Sequence, residues 1–565
     1  MLQIRCKNNN ITKSFPEGTS LLDVYQEFAE ELKMPYPVVS AKVNNVSQGL
    51  KFRLYQNRDV EFLDAREGSG HRAYVRSLCF VLYKATQDLF PGSKLFIEHT
   101  ISRGYYCNFK PTPGPSPKEG RQIAPEMVDR IRERMQEIIN LDMPFRRNEA
   151  TTEEALRVFQ ERGFSDKVKL LETSGQIYSD YYMLGDTADF YYGPLVPSAG
   201  YLTVWGLEQY HDGMLLRVPD WNNPTRLAEK ADMPKTYSMF AEKTRWDIIM
   251  RLSNAGDVNR SVLNGHASEL IQVSEALQEK KIVQIAEEIE RRYHDEKNPV
   301  KLVLITGPSS SGKTTFCKRL SVQLLACGLR PLSFSTDDYF VNRVDTPKLP
   351  NGDYDFDNIE TVDYHLMEEH LQRLMKGEKV EIPEYNFTTG KREWNGKKLR
   401  LQNDSVLIIE GIHALNPLLT KEIDDSLKFR IYISALTSIS LDDHNWIPVR
   451  DNRLLRRIIR DYNKGAFTAR ETISQWKNVC EAEDQWIFPY QETADVMFNS
   501  ALNIEFAVLR PHAEIILATV PKNCPEYSEA HRLMKFIRYF IPVSDKEIPP
   551  TSIMREFVGG SSFKY

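Results

Sequence analysis

The chain has 565 residues, of which 41% are hydrophobic and 27% are charged, with a formal net charge of −5. This length exceeds what one hydrophobic core usually serves, so we expect about three to five domains of a globular protein. The net charge excludes a general attraction for nucleic acid or acidic membranes, although it leaves room for a local basic face.

The sequence carries no signal of export or membrane insertion. No stretch approaches the roughly 20 uninterrupted apolar residues of a membrane span, and residues 1–7 contain no signal-peptide core. The seven cysteines are scattered without a CxxC pair, which indicates reduced thiols and neither a disulfide framework nor a zinc ribbon. We therefore expect a cytoplasmic protein without a membrane partner.

Residues 1–64 are predicted to form a small mixed domain. Two short strand-like runs flank Glu17-Gly18, Thr19 or Ser20 can cap a helix over residues 21–32, and strands follow over 38–43 and 60–63. A turn is expected at Asn44-Asn45. This order resembles the β-grasp module called TGS, which occurs in threonyl-tRNA synthetases and in some GTPases and usually serves binding and regulation.

Residues 65–215 extend this resemblance to the second domain of threonyl-tRNA synthetase, which edits mischarged tRNA. The match rests on three stretches: GHRAYV at 70–75 resembles the start of the family's HxxxH helix, GYYCNF at 104–109 its GFYYDF strand, and GPLVP at 193–197 its CxGPHVP segment. The resemblance implies the fold of that editing domain. It also makes tRNA or an amino acid the expected effector of this half.

The editing residues themselves are replaced in this sequence. The family's second histidine falls at Val75, its cysteine at Tyr191 and its third histidine at Leu195, so that only His71 remains. Editing needs these polar groups around the scissile ester, and a zinc site needs at least three ligands. We therefore expect the fold to be kept without zinc binding or editing chemistry, with His71 in a structural role.

The parts between the motifs are predicted from patterning alone. The run PTPGPSP at residues 111–117 cannot sustain a helix or a sheet ladder, which predicts an exposed loop. Residues 125–140 have the spacing of an amphipathic helix. Residues 216–298 are predicted to be a helical connector, whose last helix over residues 266–295 packs the first half against the second.

The strongest motif, GPSSSGKTT at residues 307–315, fits the P-loop pattern of two glycines that frame four residues, followed by Lys and Thr. An apolar strand precedes the loop and a helix follows it, so that the helix N-terminus points at the bound anion. We expect Lys313 to reach the outer phosphates and Thr314 to bind magnesium. The residues expected to contact the nucleotide are Gly307, Ser309, Ser310, Ser311, Gly312, Lys313, Thr314 and Thr315.

Two acids are expected beside the P-loop, because each ends an apolar strand. The run LSFST at 332–336 leads to Asp337, the expected general base and a magnesium ligand, while Asp338 or Glu410 is the alternative if Asp337 merely caps the turn. The strand at 406–409 ends at Glu410, in the arrangement of a Walker-B-like acid that holds magnesium directly or through water. The predicted metal ligands are thus Thr314, Asp337 and Glu410.

The domain predicted at residues 299–500 resembles the uridine kinase and phosphoribulokinase family. The resemblance rests on STDDYF at 335–340, YDFD at 354–357, PEYNF at 383–387 and RLLRRIIRD at 453–461, which are similar to the family's SxDxFY, NFDxPxAFD, PxYDF and RLxRRxxRD segments. It implies Asp337 as the base, Asp357 on the ribose hydroxyls and Tyr385 against the nucleobase. It also implies Arg457 for the substrate and Arg460 for the phosphates.

Two departures from the family leave the acceptor open. The histidine that reads the pyrimidine in uridine kinases falls at Gly390, and the family's RGRD lid is replaced by KGAF at 464–467 followed by Arg470. Lys464 and Arg470 can still supply catalytic positive charge to the transferring phosphoryl group, as Lys313 does. The polar insert DDHNW at 442–446 is either a substrate loop or an ordinary surface turn.

Together these features predict an α/β protein: a P-loop kinase domain with a parallel sheet, preceded by a β-grasp domain and an α+β editing-like domain, and followed by a helical tail at residues 501–565. The arrangement resembles a bacterial family of uridine or nucleoside kinases, which implies ATP, Mg²⁺ and a nucleoside acceptor such as uridine or cytidine. A kinase of another small hydroxyl compound and a tRNA- or amino-acid-responsive regulator with an ATPase switch remain alternatives. A homo-oligomer is expected.

Overall fold

The structure is a computed structural model that describes residues 1–110, 123–297, 299–350, 352–437 and 439–564. The proline-rich loop predicted at residues 111–117 lies outside these ranges. Within them, no helix combines the length and the apolar character needed to cross a membrane. All seven cysteines are free thiols, and five of them are buried.

The first 64 residues form a β-grasp unit. Its elements are β1 (Leu2–Cys6), β2 (Ile11–Phe15), β3 (Thr19–Ser20), α1 (Leu21–Leu32), β4 (Ser40–Val43), β5 (Val46–Gln48), β6 (Arg53–Leu54) and β7 (Arg58–Leu63). The main sheet has the order β2-β1-β7-β4-β5, with β1 parallel to β7. The predicted helix is confirmed, and Ser20 caps it in a capping box with Asp23. Val24 and Phe28 on its inner face belong to the core of this unit.

The second unit packs two antiparallel sheets around one long helix. Its elements are α2 (Gly68–Leu89), β8 (Lys94–Ile101), β9 (Gly104–Lys110), α3 (Pro125–Asn140), β10 (Phe145–Asn148), α4 (Thr152–Glu161), α5 (Ser165–Ser174), β11 (Tyr181–Leu184), β12 (Thr187–Asp189), β13 (Gly206–Tyr210) and β14 (Gly213–Arg217). The sheets have the orders β13-β14-β9-β8 and β10-β11-β12. Residues on every side of α2 are buried, which makes this helix the centre of the unit's core.

Three helices connect the two halves of the chain: α6 (Pro234–Met250), α7 (Ala255–Leu263) and α8 (Ala267–Tyr293). The prediction of a helical connector over 216–298 is wrong for its first part, because β14 ends at Arg217 and residues 218–233 contain no helix. The last helix packs on both halves, as predicted. Ile271 of α8 joins a core cluster with residues of the second unit, whereas Ile282 and Ile289 pack against the P-loop part.

The last part of the chain is built on a parallel sheet covered by helices. Its elements are β15 (Leu302–Thr306), α9 (Lys313–Ala326), β16 (Arg330–Ser335), α10 (Tyr364–Met375), β17 (Val380–Glu381), β18 (Glu384–Asn386), β19 (Lys391–Glu393), β20 (Lys398–Leu399), β21 (Ser405–Glu410), β22 (Lys428–Ser434), α11 (Val449–Asn463), α12 (Ala469–Trp486), β23 (Val496–Asn499), α13 (Glu505–Leu517), α14 (Tyr527–Ile537) and α15 (Arg555–Val558). The sheet order is β16-β21-β15-β22-β23, with all neighbours parallel. The carboxyl ends of β15, β16 and β21 therefore meet at one edge. The predicted α/β fold class is confirmed.

The hydrophobic core continues across the boundary between the halves. One cluster contains Phe159 and Leu170 of the second unit together with Ile458 of α11, Phe506 of α13 and Phe536 of α14. Helix α13 packs on α11, and α14 packs on α13. The helices predicted as a tail at residues 501–565 are thus part of the structural core.

The polar insert at residues 442–446 joins the two halves. Asp442 and His444 are buried, so the alternative of an ordinary surface turn is wrong. Lys167 Nζ of α5 lies 3.0 Å from carboxylate oxygens of both Asp442 and Asp189, and His444 Nδ1 lies 2.8 Å from Asp189 Oδ2. Although burial opposes it, the carboxylates of Asp189, Asp442 and Asp166 raise the pKa of Lys167 well above its ordinary value.

Candidate active site

The P-loop joins β15 to α9 and requires both of its glycines. A Cβ on Gly307 would lie 2.2 Å from the carbonyl oxygen of Ile433, and Gly312 has a φ of 88°, where side chains are strained. Helix α9 begins at Lys313, so the unpaired N–H groups of its first turn face the loop. Residues 307–315 therefore form one continuous loop and helix start with the geometry of an anion cradle.

The predicted magnesium ligands lie side by side at the edge of the sheet. Thr314 Oγ1 donates a hydrogen bond to Glu410 Oε1 at 3.3 Å. Burial, and after it the nearby Asp337 carboxylate, raises the pKa of Glu410 to about 7. A hydroxyl and two carboxylates are the hard oxygen donors that Mg²⁺ prefers, with water and phosphate completing its shell. These residues therefore fit magnesium.

Asp337 and Asp338 have different environments at the end of β16. Asp338 Oδ2 accepts a hydrogen bond from the Ser335 N–H at 3.1 Å and closes a capping box. The Asp337 carboxylate instead accepts from the Thr336 hydroxyl at 3.3 Å and faces Lys313. Burial raises the pKa of Asp337, and the Lys313 charge opposes this shift. Asp338 is thus the acid that caps the turn.

Two of the arginines on α11 are structural. Arg453 and Arg456 are fully buried, and each forms a bidentate ion pair, with Glu483 of α12 and Glu505 of α13 respectively. Arg453 also donates to the Ser309 carbonyl oxygen at 3.1 Å. These pairs fix the position of α11 against the P-loop.

The two arginines predicted to serve the site lie on the face of α11 toward the loop. Arg457 donates to Ser309 Oγ at 3.0 Å. Arg460 pairs with Asp461 at 3.0 Å. Burial lowers the pKa of Lys313, and the charge of Arg460 adds to this lowering, which indicates that the two cations lie near each other.

Tyr385, one of the predicted acceptor residues, forms an aromatic wall with Phe340 and Phe387 next to the turn that carries Asp337. The Tyr385 side chain is 5% exposed, and its ring centroid lies 5.5 Å from that of Phe340 and 5.0 Å from that of Phe387. Strand β18, which carries Tyr385, packs against the turn at residues 336–339. Burial raises the pKa of Asp357 to about 6, against the charge of Arg457.

Arg343 fills the space beside Gly390, where the resemblance places the pyrimidine-reading histidine. A Cβ on Gly390 would lie 2.9 Å from both Cβ and Nε of Arg343. The Arg343 N–H donates to the Gly390 carbonyl oxygen at 2.8 Å, and its guanidinium donates to the carbonyl oxygen of Phe387. A guanidinium therefore stands next to the aromatic wall. The sequence contained no signal for it, because Arg343 comes from a different segment.

The two predicted lid cations lie at and beyond the end of α11. Lys464 is the exposed C-cap residue of this helix. Arg470 is exposed on α12, and its Nε lies 3.3 Å from Glu526 Oε2. This ion pair turns Arg470 toward the segment before α14 rather than toward the P-loop.

Three residues at the P-loop were not predicted. Glu483 accepts from the Ser309 N–H at 3.0 Å, and Glu556 accepts from the Thr315 hydroxyl at 2.7 Å. His413 is buried, and its burial, with a smaller contribution from the charge of Lys313, lowers its pKa to about 4. Neither glutamate stands in a motif, because both reach the loop only through tertiary packing. The position of His413 could have been expected from the sequence, because it lies only three residues after Glu410 and is therefore close to the site along the chain.

The positions of the lost editing residues are filled by packing. The ring of His71 stacks on Trp221 with centroids 3.8 Å apart, and burial lowers its pKa to about 4. Val75, Tyr191 and Leu195 belong to the hydrophobic cluster around α2. In the described ranges, no group of three or more His, Cys, Asp or Glu side chains is arranged to hold a metal ion.

Comparisons with known proteins agree with this division of the chain. Residues 302–505 match the model of the Phosphoribulokinase / Uridine kinase family. A uridine kinase of Ureaplasma parvum is 27% identical over 201 residues, which cover 35% of this chain and 87% of that protein. A threonine–tRNA ligase of Syntrophomonas wolfei is 31% identical over 203 residues, which cover 36% of this chain and 30% of the ligase. The chain thus spans less than a third of the ligase.

A solved structure described as a possible uridine kinase from Bacillus stearothermophilus is 18% identical, covers 39% of this chain and 98% of its own, and superposes with a TM-score of 0.28. The parallel sheet, the P-loop and the family match give the second half of this chain the fold class of the P-loop kinases. More particularly, residues 302–505 form a domain of the phosphoribulokinase / uridine kinase family, joined to an N-terminal region homologous to threonine–tRNA ligases. The predicted composite is confirmed at this level.

Proposed function

We propose that the chain transfers the γ-phosphoryl group of ATP to the 5′-hydroxyl of a nucleoside, with uridine and cytidine as the first candidates. The observation that supports this most is the aromatic wall of Tyr385, Phe340 and Phe387 beside the turn that carries Asp337. A nucleobase is planar and suits such a wall, and the carboxylate of Asp357 suits the hydroxyls of a ribose.

ATP and Mg²⁺ supply the transferable phosphoryl group and neutralise its charge. In this proposal the backbone N–H groups of residues 307–315 and Lys313 grip the phosphates, while Thr314, Glu410 and Asp337 hold the magnesium ion. The fixed N–H groups and the loop geometry cost little reorganisation when the phosphates bind.

Asp337 is proposed to accept the proton of the attacking hydroxyl. Its carboxylate is not the one that caps the turn, and the neighbouring Lys313 favours its ionised form although burial opposes this. A general base placed in this way contributes about 10²- to 10⁴-fold to the rate.

Positive charge for the transfer is proposed to come from Lys313 and Arg460, and from Lys464 and Arg470 after a movement of the lid. The ion pair of Arg470 with Glu526 must break first. Because the Arg470 side chain is exposed, breaking this pair costs only about 0–1 kcal/mol.

A kinase of another small hydroxyl compound is the second candidate, and Arg343 favours it. A guanidinium beside the acceptor wall would pair with a carboxylate or phosphate more strongly than with a neutral nucleobase. The pyrimidine carbonyl oxygens can also accept from it, so Arg343 is compatible with both acceptors.

A panel of acceptors tests the proposal. Uridine, cytidine, purine nucleosides, sugars and acidic alcohols would each be assayed for ADP release together with formation of the phosphorylated product. Turnover of uridine or cytidine, lost in Asp337→Asn, supports the nucleoside kinase. Turnover restricted to an acidic alcohol overturns the nucleoside assignment, and stimulation of ATP hydrolysis by tRNA without any phosphorylated product favours a regulator.

A further inference from the structure

A basic cavity lies away from the P-loop, where three parts of the chain meet. It has a volume of about 840 Å³ and is lined by residues of the segments 46–55, 69–76, 145–149, 180–197 and 528–535. We call it the junction cavity. Volumes of roughly 300–1,000 Å³ are typical of sites that bind small ligands.

The lining of the junction cavity is strongly positive, although the whole chain has a net charge of −5. Eight lysines and arginines line it, against the two carboxylates of Glu149 and Asp180. The cationic residues are Lys51, Arg53, Arg72, Arg76, Arg146, Arg147, Arg532 and Lys535. Arg147 pairs with Asp180, and Arg72 and Arg532 pair with Glu529. Arg532 also pairs with Asp451. The nearby acids therefore neutralise only part of this charge.

Arg76 is the buried cation of the junction cavity. Its side chain is 5% exposed, its guanidinium donates to the Pro194 carbonyl oxygen at 3.3 Å, and it lies 4.9 Å from the centre of the Tyr192 ring. None of the ion pairs in the described part of the chain includes Arg76. A buried cation without a counter-charge is costly, which points to an anion that completes the site.

The backbone is shaped to admit this guanidinium. A Cβ on Gly193 would lie 2.3 Å from Nη1 of Arg76, so any other residue at this position would displace the side chain. Gly193 therefore leaves the space that Arg76 occupies beside the Tyr192 ring.

Four further cations of the cavity take part in no ion pair within the described ranges. They lie on its more exposed walls and are Lys51, Arg53, Arg146 and Lys535. Burial and then the charge of Arg146 lower the pKa of Lys51. An anion with several charges would relieve this crowding of cations.

The junction cavity also offers flat aromatic surface. Phe52, Phe145, Tyr182, Tyr191 and Tyr192 are among its lining residues. Aromatic rings beside arginine side chains are suited to stack on a nucleobase, and arginine forks are suited to phosphate. Cations and aromatic rings in one cavity of this size match a ligand that carries both a base and several phosphates.

We propose that the junction cavity binds a nucleoside polyphosphate at a site separate from the P-loop, with its phosphates on Arg76, Arg146 and Lys535 and its base against the tyrosine rings. The site is formed jointly by the β-grasp unit, the second unit and α14. This inference concerns binding alone and does not depend on which acceptor the kinase domain uses.

Calorimetric titration of the full chain tests this inference. The protein carries Lys313→Ala to weaken nucleotide binding at the P-loop, and the probes are GTP, UTP and inorganic tripolyphosphate. We expect saturable binding of at least one nucleotide at one equivalent. Adding Arg146→Ala and Lys535→Ala, both at exposed positions, is expected to weaken it at least about tenfold, because two charge-assisted contacts are lost.

The matched control is Arg132→Ala, which removes an exposed cation of α3 that does not line the cavity, and it is expected to leave the affinity unchanged. Arg76→Met should abolish binding, provided that its melting curve matches the parent; otherwise the exposed double variant decides. The inference is overturned if no probe binds saturably to the Lys313→Ala protein, or if the double variant binds as tightly as its parent. Binding of an RNA oligonucleotide without binding of any nucleotide also overturns it.

Discussion

Glu556 of α15 accepts a hydrogen bond from the hydroxyl of Thr315 at 2.7 Å, so a carboxylate from near the end of the chain reaches the second threonine of the P-loop. Thr315 is one of the residues expected to contact the nucleotide. The packing that places Glu556 there is close, since a Cβ on Gly312 would lie 2.5 Å from Ile553 Cγ2. A negative charge next to a phosphate site opposes the binding of phosphate.

Glu556→Gln is therefore expected to strengthen ATP binding by about three- to tenfold, because it removes a like charge and keeps the shape of the side chain. The measurement is the equilibrium Kd for ATP. The matched control is Glu547→Gln, which changes an exposed glutamate that precedes α15 in the chain. It should leave the Kd for ATP unchanged. Weaker ATP binding by Glu556→Gln would show instead that Glu556 supports the nucleotide.

Asp337→Asn is expected to lower kcat by about 10²- to 10⁴-fold and to alter ATP binding far less, because it removes the proton acceptor and keeps its shape. Lys313→Ala should impair both, since it removes a contact present in the ground state and in the transition state. Turnover and ATP affinity would be measured separately. Near-normal turnover of a folded Asp337→Asn protein would contradict the proposed base.

Asp338→Asn is the matched control for Asp337→Asn. Asp338 accepts the Ser335 N–H in the capping box, so its substitution should affect the melting temperature more than the chemical step. Loss of a cap contact typically costs about 0.5–2 kcal/mol. A larger fall of kcat in Asp338→Asn than in Asp337→Asn would exchange the roles of the two acids.

Tyr385→Ala is expected to raise the KM of the acceptor and to leave the KM of ATP nearly unchanged, because the ring packs in the aromatic wall with Phe340 and Phe387. Steady-state kinetics with each substrate varied in turn would measure this. Tyr385→Phe keeps the ring and serves as the control. An equal loss of ATP affinity in Tyr385→Ala would mean that the wall belongs to the nucleotide site.

The synthetase-like half is expected to bind no zinc tightly and to deacylate no mischarged tRNA. Val75, Tyr191 and Leu195 are packed in the core, and His71 stacks on Trp221, so the groups that would hold zinc or position water are replaced. Metal analysis of the purified protein and a deacylation assay measure this. Stoichiometric zinc that disappears in His71→Ala would contradict the prediction.

Asp443→Asn is expected to stabilise the protein progressively as the pH rises from about 4 to about 7. Burial, and after it the charge of Asp166, raises the pKa of Asp443 to about 7, whereas an unfolded aspartate titrates near 4. The stability that Asp443 contributes in its protonated form is thus present at low pH and is lost as the pH rises through its folded pKa. Melting curves of both proteins across this range measure the effect, and a constant difference would contradict it.

The motifs predicted those parts of the site in which neighbouring residues determine the geometry. The P-loop, Asp337 and Glu410 could be placed because glycines at fixed spacing shape a loop, and because parallel strands that end in acids must meet at one edge of a sheet. The composite of a synthetase-like half and a kinase half could also be read from local segments such as GPLVP at 193–197. These features depend on residues that are close together in the sequence, so they could be predicted without knowing which distant residues are in contact.

Tertiary structure alone decided which distant residues complete these sites. Arg343 fills the space beside Gly390, Glu483 and Glu556 reach the P-loop, and the insert that contains Asp442 closes on Lys167. Each of these contacts joins two segments that are far apart in the sequence, and no sequence motif links them. Each contact depends on how whole helices and units pack against one another. The sequence shows that residue 76 is an arginine, but it does not show whether that side chain is buried or has a carboxylate partner. The tertiary structure buries Arg76 without one among the described residues, and a buried charge without a partner is energetically costly, which points to a bound anion.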